Sequence, residues 1–185
     1  MNMRGISQLV AVAILLIVVI VGGVLIYHYM TTALHSANTI SLTGVVTAYS
    51  NNPIPTSTGY KYGYTVTLTI NNQYGQTLYI RQLNLTLYGA NGPIGTLPVI
   101  NLDISKGQPE TLKYNYTVAI PGTTETFQVI MHQTSNVVPT GAPTKFTFEL
   151  ISPVPLTAVT PSIQLISPDG HTKTVSVQSP ISVSG

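Results

Sequence analysis

The sequence predicts an α+β chain: one long apolar helix followed by an antiparallel, all-β domain packed as a sandwich. Leu9 to Ile26 (LVAVAILLIVVIVGGVLI) is an unbroken apolar run with no charged residue, and about 18 such residues suffice for a helix to cross a bilayer. From Ile40 onward the hydrophobic period changes to two, with Tyr, Val, Leu and Ile alternating against Thr, as in half-buried strands. These alternating stretches are short and separated by Asn, Gly and Pro clusters, the spacing of a sandwich rather than of βαβ units.

Composition narrows the function classes. Of 185 residues only 6% are charged, against about a quarter in ordinary soluble proteins, so neutral hydroxyls and amides must keep the domain wet. Seven Lys and Arg against five Asp and Glu give a net charge of +2. They form no basic cluster that could track phosphates, which argues against nucleic acid as a partner. Few carboxylates also predict acid tolerance, since few groups would unfold the domain on protonation. With no cysteine, neither disulfides nor thiol chemistry can be invoked.

Taken in order, Met1 to Gly5 is too short to be a folded element. Arg4 is the only charged residue before Lys61, and a cationic flank holds its end of a span on the cytoplasmic side. The β domain is therefore expected outside the membrane. An ordinary secretory signal is cut after its apolar region and discarded. Here the small residue precedes that region, in Arg4-Gly5-Ile6-Ser7. The tetrad resembles the class III signal of archaeal type IV pilins: a basic residue, Gly or Ala ahead of the cut, then an aliphatic residue.

That resemblance implies cleavage between Gly5 and Ile6 by a membrane aspartic prepilin peptidase, with the helix retained. The implied organisation is a signal peptide (1–5), a hydrophobic helix (6–38) and an extracellular β domain (39–185). Gly5 offers the peptidase an extended, side-chain-free bond just before the helix. Bacterial pilins usually begin the mature chain with Phe and place Glu fifth; here those places hold Ile6 and Val10. The ammonium of a mature Ile6 would lack that carboxylate, and a buried unpaired charge is costly. Ser7, Gln8 or nearby carbonyls are the expected partners. Archaeal pilins often lack the Glu too, so the departure bears on the bacterial assembly mechanism more than on the family.

No proline precedes Pro53, so the helix can run from about Ile6 to Ala37, on the order of 48 Å. Gly22-Gly23 near the end of the run is common membrane-helix composition, or else a place where neighbouring helices approach closely. Tyr27, His28, Tyr29 and His35 fall where a membrane interface would lie, a zone aromatics favour. His28 and His35 share a helical face, but two imidazoles without further ligands do not make a structural metal site, and no metal is expected. Ser36-Ala37-Asn38 closes the helix with residues that bond their own backbone.

Strands are expected over Ile40–Tyr49, Tyr60–Asn71, Thr77–Tyr88, Leu97–Ile104, Thr111–Ile120, Glu125–His132, Lys145–Ile151, Ile163–Ser167 and Thr172–Gln178, a pattern of immunoglobulin-like style. Residues 51–59 read as a loop, and Asn91-Gly92-Pro93 and Pro121-Gly122 as turns. Pro168-Asp169-Gly170 reads as the hairpin joining the final two strands. The Pro-rich run 153–161 is expected to cross between sheets or to protect an edge.

Two N-glycosylation sequons occur, Asn84-Leu85-Thr86 and Asn115-Tyr116-Thr117, and each asparagine must face solvent to be modified. Tyr60, Tyr62 and Tyr64 alternate on one strand face, read either as packing or as a binding platform. The carboxylates Asp103, Glu110, Glu125, Glu149 and Asp169 and the histidines His132 and His171 match no catalytic signature. No catalytic residue, cofactor or enzyme activity is therefore expected.

The expected function is a structural subunit of an extracellular archaeal type IV pilus, polymerising through its helix for surface adhesion. Its implied partners are copies of itself, the membrane before assembly, the prepilin peptidase and the assembly ATPase and platform, with surface or cell ligands beyond. The alternatives are an uncleaved, membrane-anchored surface-binding protein, an archaellin, or a minor pilin of a related system.

Overall fold

The structure is a computed structural model that describes residues 3–36, 39–57 and 59–185, with helix side chains described for 10–30. The chain forms two compact units, Met1–Thr39 and Ile40–Gly185.

The first unit is a single helix, α1 (Met3–Ser36, 34 residues), about 51 Å long at 1.5 Å per residue. It begins three residues before the expected start at Ile6, so the Gly5–Ile6 bond lies within its first turns. No Pro separates Met3 from the apolar run. Gly5 costs a helix roughly 1 kcal/mol relative to Ala, too little to stop one with such a long following segment. Ala37 and Asn38, expected in the helix cap, lie outside the described residues.

Among the described residues the second unit contains twelve strands: β1 (Ile40–Ala48), β2 (Ile54–Thr56), β3 (Gly59–Asn72), β4 (Leu78–Gly89), β5 (Gly92–Asn101), β6 (Asn115–Ala119), β7 (Thr126–Met131), β8 (Val137–Val138), β9 (Pro143–Ser152), β10 (Ala158–Ile166), β11 (Thr172–Ser176) and β12 (Ile181–Ser184). They join in the order β5-β4-β10-β12-β1-β3-β9-β7-β6, with β11 on β10, β2 on β3 and β8 on β4. The pairing is antiparallel apart from β1 with β12, which run parallel through Val46↔Val183 and Thr47↔Ser184.

The arrangement differs from the expected immunoglobulin-like pair of sheets. β12 pairs with β1 on one side and with β10 on the other, through Ala158↔Ser182 and Val159↔Ile181, so the strands form one continuous, barrel-like sheet. Its end strands β5 and β6 meet through side chains: the Tyr116 hydroxyl donates to the Val99 carbonyl, and Ile120 lies over Gly95. A Cβ on Gly95 would stand 2.7 Å from Ile120 Cγ2, at a φ of +154° that L residues rarely adopt.

One core serves the whole unit. Val66, Leu68 and Ile70 of β3, Leu83, Leu85 and Leu87 of β4, Phe146 and Phe148 of β9 and Val159 of β10 belong to one buried cluster. Alternation creates it: in β4, β9 and β10 every second residue is buried over most of the strand. Fully burying one such side chain contributes roughly 1.5–3 kcal/mol, which lets this unit hold itself without disulfides.

The expected strands hold in position while several boundaries move. β5 starts at Gly92, directly after Asn91, rather than at Leu97, and tolerates Pro93 and Pro98 because its backbone pairs on one side with β4 alone, as proline requires. β10 starts at Ala158, so Pro161 is a strand residue rather than part of a crossing. Pro161 sits where the second partner of β10 changes from β12 to β11, a place where a missing N–H leaves no ladder bond unmade. β2 lies inside the segment expected as loop. Pro168-Asp169-Gly170 joins β10 to β11, and β12 follows.

Candidate functional site

Val10–Met30 carries no Asp, Glu, Lys or Arg, and its 21 residues make a helix long and apolar enough to cross a membrane. Helices of this length and composition are membrane spans or signal sequences. Its side chains find no core: Leu15 is 68% exposed and Val18 64%. Ala11, Ile14, Leu15, Val18 and Val19 line one shallow apolar groove along the helix. Gly22 continues it, four residues beyond Val18, and Gly22 and Gly23 have no atom within 4 Å of where a Cβ would stand. The backbone there is open to close approach from outside. Tyr27 and Tyr29, 71% and 77% exposed, lie at the end of the apolar run as aromatics at a membrane interface do.

Arg4, Gly5, Ile6, Ser7 and Gln8 belong to the first turns of α1. Their side chains, and with them the expected partners of a mature amine, lie outside the described residues, as does the side chain of His35. Among the described residues no three His, Cys, Asp or Glu side chains are placed to hold a metal.

In the β unit the tyrosine face resolves into core. Tyr64 is 3% exposed, Tyr62 packs partly against the core, and Tyr60 alone is open, at 64%. The Tyr64 hydroxyl accepts the Leu156 N–H at 2.8 Å. The three therefore do not form a solvent-facing platform. Their parity is that of Val66, Leu68 and Ile70, the inward face of β3, a signal present in the sequence.

Ser167, Asp169 and His171 come together in one turn. The Ser167 hydroxyl donates to the Asp169 carboxylate, and His171 Nε2 lies 3.6 Å from the other carboxylate oxygen. The hydroxyl faces the acid rather than the imidazole, so no base is placed to activate it, and nucleophilic catalysis requires that pairing. This is a hydrogen-bonded turn. The Ser167 bond is the main cause that lowers the Asp169 pKa. The cavity beside it, about 90 Å³ between Ile40, Tyr74, Leu78 and His171, is far below the few hundred Å³ of ordinary ligand pockets.

His132 belongs to a different cluster. Its Nε2 is 3.2 Å from Glu149 Oε1, while the Tyr49 hydroxyl donates to Glu149 Oε2. Burial, then the bond to Glu149 and its charge, push the Tyr49 phenol pKa well above its ordinary value. The Tyr49 ring covers Gly63, whose N–H and carbonyl are both held by the Asn52 side chain at 2.8 Å. The cluster ties the end of β1 to β9 across 100 residues of sequence, and no local pattern announces it.

The two sequon asparagines both point away from the core. Asn84 is half-buried in the middle of β4 and Asn115 is exposed at the start of β6.

No protein-family model matches the chain, and no curated protein matches it. Among solved structures it is similar to the X-ray structure of Northeast Structural Genomics Consortium target SoR45, at 14% identity over 80% of this chain and 89% of that one, with a TM-score of 0.50. A Bordetella pertussis protein described as a candidate ApaA is similar at 8% identity, over 78% of this chain and 94% of that one, with a TM-score of 0.47. The first likeness bears on fold alone.

Proposed function

We propose that the protein is a structural, non-catalytic subunit of an extracellular filament of the archaeal type IV pilus kind. In this reading the peptidase trims residues 1–5, α1 waits in the membrane, and an assembly ATPase and platform move it into a growing bundle of its own copies. The observation that supports the reading is a 21-residue apolar segment whose side chains are exposed along its length, in a chain whose β unit has a core of its own. Transfer from lipid to a bundle replaces one apolar surrounding with another, and small residues such as Gly22 and Gly23 let backbones approach. The β units then form the outer surface, through which the filament adheres.

The trimming step requires α1 to open at its first turn, because the Gly5–Ile6 bond is helical. Gly5 lowers the cost of that opening relative to Ala. The same helical start favours a second reading, an uncleaved surface protein anchored by α1. The two separate on Gly22→Leu, which fills the close-approach position and leaves the span apolar. Negative-stain microscopy of cells carrying it should show loss of filaments with the protein still in the membrane fraction. Normal filaments from that variant would refute assembly through this face.

A further inference from the structure

We infer that Asn115 is the N-glycosylation site of the folded protein and that Asn84, although it carries an equally valid sequon, is closed to modification by the fold. The inference concerns the outer surface assigned under the filament reading, and rests on it for the β unit's position outside the cell.

Sequon chemistry needs more than an exposed side chain: the acceptor must enter a transferase as a short extended segment, so its backbone must come free of neighbours. Asn84 sits in the centre of β4 with both edges paired. It stands opposite Pro98 of β5 and Ser162 of β10, and Leu85 and Thr86 are likewise paired on both sides. Leu83 and Leu85, on either side of it, are fully buried, and the Thr86 hydroxyl is 3.3 Å from that of Thr96. Freeing this sequon means opening the middle of the sheet, an event with a free energy near that of global unfolding.

Asn115 stands differently. It is the first residue of β6, the end strand of the sheet, and its ladder partner is Ile130 of β7. Residues 112–114 before it are outside any strand, and Asn115 and Thr117 are both exposed on one face. Asn115 Oδ1 accepts a hydrogen bond from Gln128 Nε2 at 3.1 Å, which leaves the amide nitrogen toward solvent. The far edge of β6 meets β5 through the Tyr116 hydroxyl on the Val99 carbonyl rather than through a backbone ladder. Peeling this segment breaks a five-residue ladder on one edge, the bond from the Met131 N–H to the Tyr114 carbonyl and the side-chain bonds of Gln128 and Tyr116, and lifts Tyr116 and Val118 off the core's margin, yet it leaves the middle of the sheet paired, as a local opening at an edge does.

The step takes an oligosaccharide carried on a lipid phosphate. Asn115 Nδ2 attacks the anomeric carbon, a C–N bond replaces the sugar C–O bond, and the lipid phosphate leaves with the electron pair. The amide proton passes to a base of the transferase. The Thr117 hydroxyl, two residues on along the same face, completes the recognised triplet.

The test uses the folded full chain in detergent micelles, an oligosaccharyltransferase and a lipid-linked oligosaccharide, with peptide mass mapping. Peptides spanning 80–90 and 111–121 serve as unfolded acceptors. Both peptides should accept sugar, whereas the folded chain should accept it at Asn115 more than about tenfold faster than at Asn84. Thr117→Ala should abolish the product and Thr86→Ala should leave it unchanged. Comparable modification of Asn84 in the folded chain would overturn the inference, as would a bare Asn115 or an Asn84 peptide that refuses sugar. A cell-derived protein that is bare and shielded from external protease, beside a positive result in micelles, would count against the filament reading's placement alone.

Discussion

Val18 and Val66 are the same side chain in the same molecule, one 64% exposed and the other fully buried. The contrast repeats throughout: Leu15 against Leu85, Ile17 against Ile80. The β unit encloses its aliphatic residues within its own sheet, while α1 holds a comparable set with no core to enter. Each aliphatic side chain left in water forgoes roughly 1.5–3 kcal/mol, so α1 calls for an apolar surrounding, which the filament proposal assigns to lipid and then to other copies. The β unit requires none. Stability therefore belongs to one region and, in the filament proposal, assembly to the other, and substitutions should separate the two.

The largest effect is expected in the β core. Phe148→Ala removes a fully buried ring between Val66 and Met131 and should cost about 3–5 kcal/mol, read as a lowered melting temperature of the β signal with membrane retention unchanged. Val18→Asp is its counterpart in α1. An acid at the centre of a span costs about 2.5–3.5 kcal/mol of insertion, so the membrane fraction should fall while β melting stays put. A drop in both properties from either variant would break the division.

Smaller effects sharpen it. Gly63→Ala drives a methyl into the Tyr49 ring and should cost about 1–3 kcal/mol, as overpacking does, again in the β melt alone. Tyr116→Phe should cost about 1 kcal/mol at neutral pH for the lost bond to Val99. Burial pushes the Tyr116 phenol up to about 12, whereas the unfolded value is about 10. Between those values the native state keeps a proton that the unfolded state has released, so stability is complete below about pH 10 and declines as pH rises toward 12. Tyr116→Phe should remove part of that alkaline decline in a melting series.

The sequence exposes the same division only where the signal is local. An apolar run and a long alternation announce α1, β3 and β4 directly. β2, β8 and β12 are two to four residues long, too short to display a period. The parallel pairing of β12 with β1 joins residues at opposite ends of the β unit, and no nearby turn encodes it, so a sandwich is the natural expectation and one continuous, barrel-like sheet the outcome. Alternation puts Tyr60, Tyr62 and Tyr64 on one strand face. Which way that face points follows from Val66, Leu68 and Ile70 further along the strand. The Tyr49–Glu149–His132 cluster comes from three separate parts of the chain and has no signature in any of them. At the two sequons the triplets are alike, and strand position alone distinguishes them.

The central claim is that α1 is kept, trimmed at Gly5, and exchanges lipid for copies of itself. Its most direct test is the intact mass and N-terminal residue of protein recovered from the cell surface in sedimentable material. The account predicts a chain beginning at Ile6 in filaments. A chain that still begins at Met1 and sediments as single molecules would contradict it.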